Sequence, residues 1–113
     1  MFMIYIEAIR KRHEEKMKAL RTDALEKAKK ITKMIRARYG AHRVILFGSL
    51  CRRGYIHRGS DIDLLVEGMS KDDLFLAGFD ASMMAKPFEV DIIPAESAEK
   101  TLLQTARREG IEL

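Results

Sequence analysis

The chain has few of the residues that staple or anchor small proteins. Its 113 residues include one cysteine, Cys51, which rules out a disulfide framework and a cysteine-built zinc cluster and suits a small buried filler. The three histidines, His13, His42 and His57, lack metal-ligand spacing and read as surface residues. Long apolar runs are missing as well. The opening stretch Met1–Ile6 turns charged at Glu7, too short for a signal-peptide core or a membrane span. That points to a soluble, cytoplasmic protein with no membrane partner. There are no repeats and no low-complexity segments. The length allows one domain with a modest core and leaves no room for a second, substrate-binding domain.

Charge is plentiful but unevenly placed. Through Arg43 there are 13 Lys/Arg against 5 Asp/Glu; from Val44 onward there are 8 against 12. Basic surface in the first half suits an acidic partner protein or nucleic acid, neither of which composition excludes, or simply a solvated helix face. The second half is acidic.

Periodicity gives the coarse elements. Met17, Leu20, Ala24, Ala28, Ile31 and Ile35 recur at three- and four-residue spacing, which predicts an amphipathic helix over 14–39, ended by Gly40. Strands are expected at Arg43–Phe47, Ile62–Glu67 and Phe88–Ile93. Between the first two strands the sequence predicts a short helix from Ser49 and then a loop. Ser70 followed by Asp72 and Asp73 reads as a helix start, with Leu74, Phe75, Ala77 and Phe79 in the helix that follows. Glu96–Arg108 reads as a last helix closed by Gly110. The fold class is α+β: a small mixed sheet with helices packed on one side. One domain spans 1–113, with an N-terminal helical segment at 1–40, a motif-bearing core at 43–93 and a C-terminal helix at 96–109.

Three carboxylates stand where strand interiors should be Val or Ile. Asp61 and Asp63 lie in Ser60-Asp61-Ile62-Asp63-Leu64-Leu65-Val66, and Asp91 lies in Phe88-Glu89-Val90-Asp91-Ile92-Ile93. Residues i and i+2 of a strand share a face, so Asp61 and Asp63 project together. Paired carboxylates repel, and a hard divalent cation such as Mg²⁺ relieves that repulsion. The competing reading of this pair is an edge strand with a solvated acidic face. A third Asp in a second apolar strand favours the cation. Upstream, the run Val44-Ile45-Leu46-Phe47 stops at Gly48-Ser49, where glycine allows a tight turn and close backbone approach and serine offers a hydroxyl to a phosphate oxygen.

Phe47-Gly48-Ser49, Asp61-Ile62-Asp63-Leu64-Leu65-Val66 and Val90-Asp91 together resemble the signature of the minimal nucleotidyltransferases (MNT), in the DNA polymerase β-like superfamily. The usual pattern is Gly-Ser, ten residues, then Asp-x-Asp, with a third carboxylate on a later strand. Here Leu50 to Ser60 gives eleven, the extra residue being expected in the loop Arg53–Gly59. The resemblance implies a polymerase β-like nucleotidyltransferase fold. It implies a catalytic and metal-binding triad of Asp61, Asp63 and Asp91 holding two Mg²⁺ ions. It also implies that Gly48 and Ser49, with Arg52 and Arg53, hold the phosphates of a nucleoside triphosphate, with ATP as the expected substrate. Stand-alone members of this size are similar to antitoxins that transfer AMP to a tyrosine of a helical HEPN-type toxin. Transfer to a small molecule such as an aminoglycoside, and a nucleotide- or protein-binding module without turnover, are the alternatives. A homo-oligomer is left open.

Overall fold

The structure is a computed structural model that describes residues 2–51 and 61–113. Helix α1, Phe2–Tyr39, is 38 residues long and starts well before the predicted boundary. At 1.5 Å per residue that is about 57 Å of helix, and the molecule measures 60 × 29 × 17 Å. The helix therefore sets the long dimension. Its C-terminal half carries the predicted stripe: Ala24, Ala28, Ile31 and Ile35 are fully buried, and Met17 and Leu20 pack at the edge of the same cluster. Thr32, also buried, donates its hydroxyl hydrogen bond to the Ala28 carbonyl at 2.8 Å. Residues 2–16 are exposed throughout.

Four strands follow: β1 (Arg43–Phe47), β2 (Asp61–Glu67), β3 (Glu89–Pro94) and β4 (Ile111–Glu112), in the order β3-β2-β1-β4. β1 runs antiparallel to β2 and β4, while β2 and β3 are parallel, so the sheet is mixed. Helix α2 (Leu74–Ala85) makes the crossover between the parallel pair. As the sequence predicts, Ser70 caps the turn before it, accepting from the Asp72 backbone N–H at 3.3 Å. Helix α3, Lys100–Glu109, is preceded by a separate 3-10 turn, Ala95–Ser97, rather than running from Glu96.

Strands β1, β2 and β3 divide their side chains between two clusters. Val44, Leu46, Ile62, Leu64, Val66 and Ile92 join α1 and α2 in the main core. The helices α1 and α2 thus cover one side, the packing expected for this α+β fold. α2 approaches closely because Ala77, Ala81 and Ala85 face inward at four-residue spacing; its Phe75 and Phe79 lie outward and exposed. On the opposite face Ile45, Leu65 and Ala95 form a second, smaller cluster beneath Ala106 of α3, edged by Phe47, Ile93 and Leu103. α3 is one short helix, and it leaves part of that face uncovered.

Candidate active site

The uncovered part of the α3 face holds the carboxylates. In β2, Ile62, Leu64 and Val66 point into the main core, so Asp61 and Asp63 must point the other way. In β3, Val90 and Ile92 do the same and leave Asp91 on the outer face. The parallel register sets Asp63 directly beside Asp91, and the antiparallel register sets Phe47 beside Asp63 on its other flank. β2 lies inside the sheet, between β1 and β3. The reading of Asp61 and Asp63 as decoration on a solvated edge strand is thereby removed: an interior strand presents them.

The sequence reading passed over a fourth carboxylate, Glu89. It pairs with Asp61 in the register and, two residues before Asp91, shares that residue's face. The signal was available, since Glu89-Val90-Asp91 repeats the spacing of Asp61-Ile62-Asp63. Two parallel strands thus present a two-by-two array of acids.

Asp63 is the most constrained of these groups. It is half-buried, and burial first, then the charges of Asp61 and Asp91, push its carboxyl up to about 6. Its carboxylate lies against Gly48, with Asp63 Cγ 3.3 Å from where a Cβ on residue 48 would stand and an oxygen nearer still. Gly48 also has φ of +81°, in the region that favours glycine. Residue 48 is therefore glycine for two reasons, and both concern Asp63 and the turn. Ser49 is exposed on that turn, a 3-10 turn over Gly48–Cys51 in place of the short helix expected. Cys51 sits behind it and donates to the Leu46 carbonyl at 3.0 Å. Burial is the main cause raising its thiol pKa, which fits a filler and not a nucleophile. Arg52 and Arg53, expected at the phosphates, lie outside the described residues, as do Tyr55 and His57. His13 and His42 are on the surface, as expected.

The donor set suits a hard cation. It is made only of carboxylate oxygens, on one face, with one member driven toward its neutral form by burial and then by its acidic neighbours, a penalty that a divalent ion relieves. Among the described residues no three acidic groups already enclose a common point. The array is an open face, accessible from solvent. Beside it, between the Gly48 turn and α3, is a cleft of about 590 Å³ lined by Phe47, Gly48, Cys51, Leu102, Thr105 and Glu109. Among the described residues no helix is long and apolar enough to cross a membrane.

Asp-x-Asp on an interior strand, a third Asp on its parallel neighbour and a glycine turn against them thus share one open face of a mixed sheet. The chain matches the polymerase beta nucleotidyltransferase family over residues 29–113 and belongs to it. The match begins in α1 close to where that helix meets the body. Among solved structures the chain is similar to a candidate minimal nucleotidyltransferase, at 30% identity and TM-score 0.62, over 76% of this chain and 88% of the other. It is similar to a chain of a substituted MntA–HpeT toxin–antitoxin structure, at 27% identity and TM-score 0.62, over 75% and 69%. A third likeness, at 22% identity and TM-score 0.60 over 79% and 70%, is to a tri-AMPylated Shewanella oneidensis HEPN toxin in complex with MNT antitoxin; at that identity it speaks for the fold. No curated protein matches the sequence.

Proposed function

We propose that this chain transfers AMP from ATP, with Mg²⁺, to a tyrosine hydroxyl of a HEPN-type toxin, and so acts as the antitoxin of a pair. The carrying observation is that Asp61, Asp63 and Asp91 share one open face, with the Asp63 carboxylate lying against the Gly48 turn. The similarity to toxin–antitoxin structures, one with an AMPylated toxin, supports the choice of acceptor. The partner supplies the acceptor surface in this reading.

In this reading Asp61, Asp63 and Asp91 hold the ions. Bound Mg²⁺ supplies neutralisation of phosphate charge and activation of the attacking hydroxyl. The other work falls to the chain. Gly48 lets the β- and γ-phosphates approach the backbone, and the Ser49 hydroxyl donates to one of their oxygens. Asp91, on the edge strand β3, stands where an incoming protein can bring its hydroxyl. The tyrosine oxygen bonds to the α-phosphorus, the bond to the bridging oxygen breaks, pyrophosphate leaves, and the hydroxyl proton is released. Tyr39, the described tyrosine nearest the body, has its hydroxyl committed to Asp80 at 2.7 Å and does not compete as an acceptor.

The test is incubation with α-labelled ATP, Mg²⁺ and the protein encoded by the neighbouring gene. Label should move to a tyrosine of that protein, and Asp61→Ala or Asp91→Ala should stop it. Label on aminoglycosides or RNA ends instead would overturn the acceptor and keep nucleotidyl transfer. A complex without any labelling would point to a binding module.

A further inference from the structure

We propose that the chain also transfers AMP to a second copy of itself, and that Tyr5, on the exposed stretch of α1, is the acceptor. This rests on the nucleotidyl-transfer reading and adds a modification site to it. A tyrosine can serve as acceptor only if its hydroxyl is free and can be brought to the carboxylates. Tyr39 fails the first condition, because its hydroxyl is held by Asp80 at 2.7 Å. Tyr5 meets it: the residue is 67% exposed, and among the described residues no hydrogen bond occupies its hydroxyl. In the transfer the Tyr5 oxygen bonds to the α-phosphorus of ATP, the bond from that phosphorus to the bridging oxygen breaks, pyrophosphate leaves, and the hydroxyl proton passes to solvent.

Reach decides which copy does the work. α1 lies on the main-core side of the sheet, whereas Asp61, Asp63 and Asp91 open on the other side. Met17 packs at the edge of that core, and Tyr5 stands about 18 Å further along the helix axis. An unbroken helix cannot bring that hydroxyl round the sheet, so a molecule does not label its own Tyr5. A second molecule offers an open acidic face with Asp91 on the edge strand β3, and an exposed helix can lie against such an edge. Charge favours the encounter. Ile9, Arg12 and Lys16 share Tyr5's side of the helix, while Glu7 and Glu14 fall on the opposite side. That basic side meets a face holding Asp61, Asp63, Glu89 and Asp91. Attraction between exposed charges acts within about 10 Å at 0.1 M salt, so it orients a passing encounter and does not hold a dimer.

The experiment is incubation of the full chain with α-labelled ATP and Mg²⁺, first alone and then with the protein encoded by the neighbouring gene. Alone, the chain should take up label on the peptide that holds Tyr5, at an initial rate that rises with the square of its concentration. Tyr5→Phe should lose this label and still label the neighbour protein. Mixing Tyr5→Phe with Asp61→Ala should place label on the Asp61→Ala chain, since one supplies the acidic face and the other the tyrosine. Label that persists in Tyr5→Phe, a rate linear in concentration, or an unlabelled chain beside a labelled neighbour protein overturns the inference and keeps nucleotidyl transfer standing. Absence of label from both proteins removes that reading as well.

Discussion

The two faces of the one sheet are built from the same short strands, residue by residue in alternation, and differ in almost every other respect. The face under α1 and α2 is a continuous layer of Val44, Leu46, Ile62, Leu64, Val66 and Ile92, all buried. Among the described residues the face under α3 has only Ile45 and Leu65 as buried strand residues, edged by the partly buried Phe47 and Ile93, and it also presents the carboxylates and the cleft. One face holds the protein together; the other can tolerate unfavourable charge because the first is so well covered. Neighbours in sequence, such as Asp63 and Leu64, therefore answer to different demands.

Substitutions on the two faces should separate activity from stability. The largest effect expected is on Asp63→Asn: nucleotidyl transfer to the partner should fall by roughly three orders of magnitude or more, with the thermal midpoint of the metal-free protein unchanged or higher. A variant that keeps transfer would break the assignment of that face. On the covered face, Leu64→Ala should cost about 2–5 kcal/mol in denaturant unfolding. A cost under about 1 kcal/mol would mean that this layer is not where the stability resides.

Gly48→Ala falls between the faces. Positive φ for a side-chain-bearing residue costs about 1–2 kcal/mol, and the added methyl must displace the Asp63 carboxylate. Stability should drop by about that amount while ATP titration loses most of its heat. Normal ATP binding would show that the turn does not touch the nucleotide.

The smallest of these effects is set by pH. With its carboxyl raised to about 6, Asp63 keeps a proton in the folded protein that the unfolded chain has released. Its contribution to stability is full below the unfolded value near 3.8 and is lost as pH rises toward 6. The loss is on the order of 1 kcal/mol once solvent screening of a half-exposed group is allowed for. Relative to wild type without metal, Asp63→Asn should gain stability across that window, and Mg²⁺ should erase the difference. A constant offset across the window would mean that Asp63 titrates normally.

The covered face was the legible one. A strand buried against helices must be apolar at every second position, and a helix laid on it must repeat at three and four; both patterns stand plainly in Val44–Phe47, Ile62–Glu67 and Met17–Ile35. The Asp triad was legible by contrast, as acids inside such runs. Glu89 escaped because a lone acid at a strand's start looks like solvent-facing punctuation. β4 escaped because two residues cannot show alternation, and its place comes from pairing with Ile45 and Leu46. The cleft was not legible at all, since Phe47 and Leu102 meet only through the packing of α3. Which face of α2 turns inward was not legible either: alanines, which let helices approach, occupy it, while Phe75 and Phe79 stand exposed.

One helix, α1, crosses from solvent into the core without a break, and its amide protons should therefore exchange with deuterium in two regimes. Around Ile31–Ile35 the amides open only when the whole domain unfolds, and their exchange should report global stability. Over residues 2–16, exposed throughout, the helix has only its own hydrogen bonds to hold it. An isolated stretch of about fifteen residues is marginal in water, so those amides should exchange orders of magnitude faster. A mass spectrum of peptic fragments would show a step in protection near Met17. Loss of that step on mixing with the partner protein would mark the same segment as the place where the partner lies down.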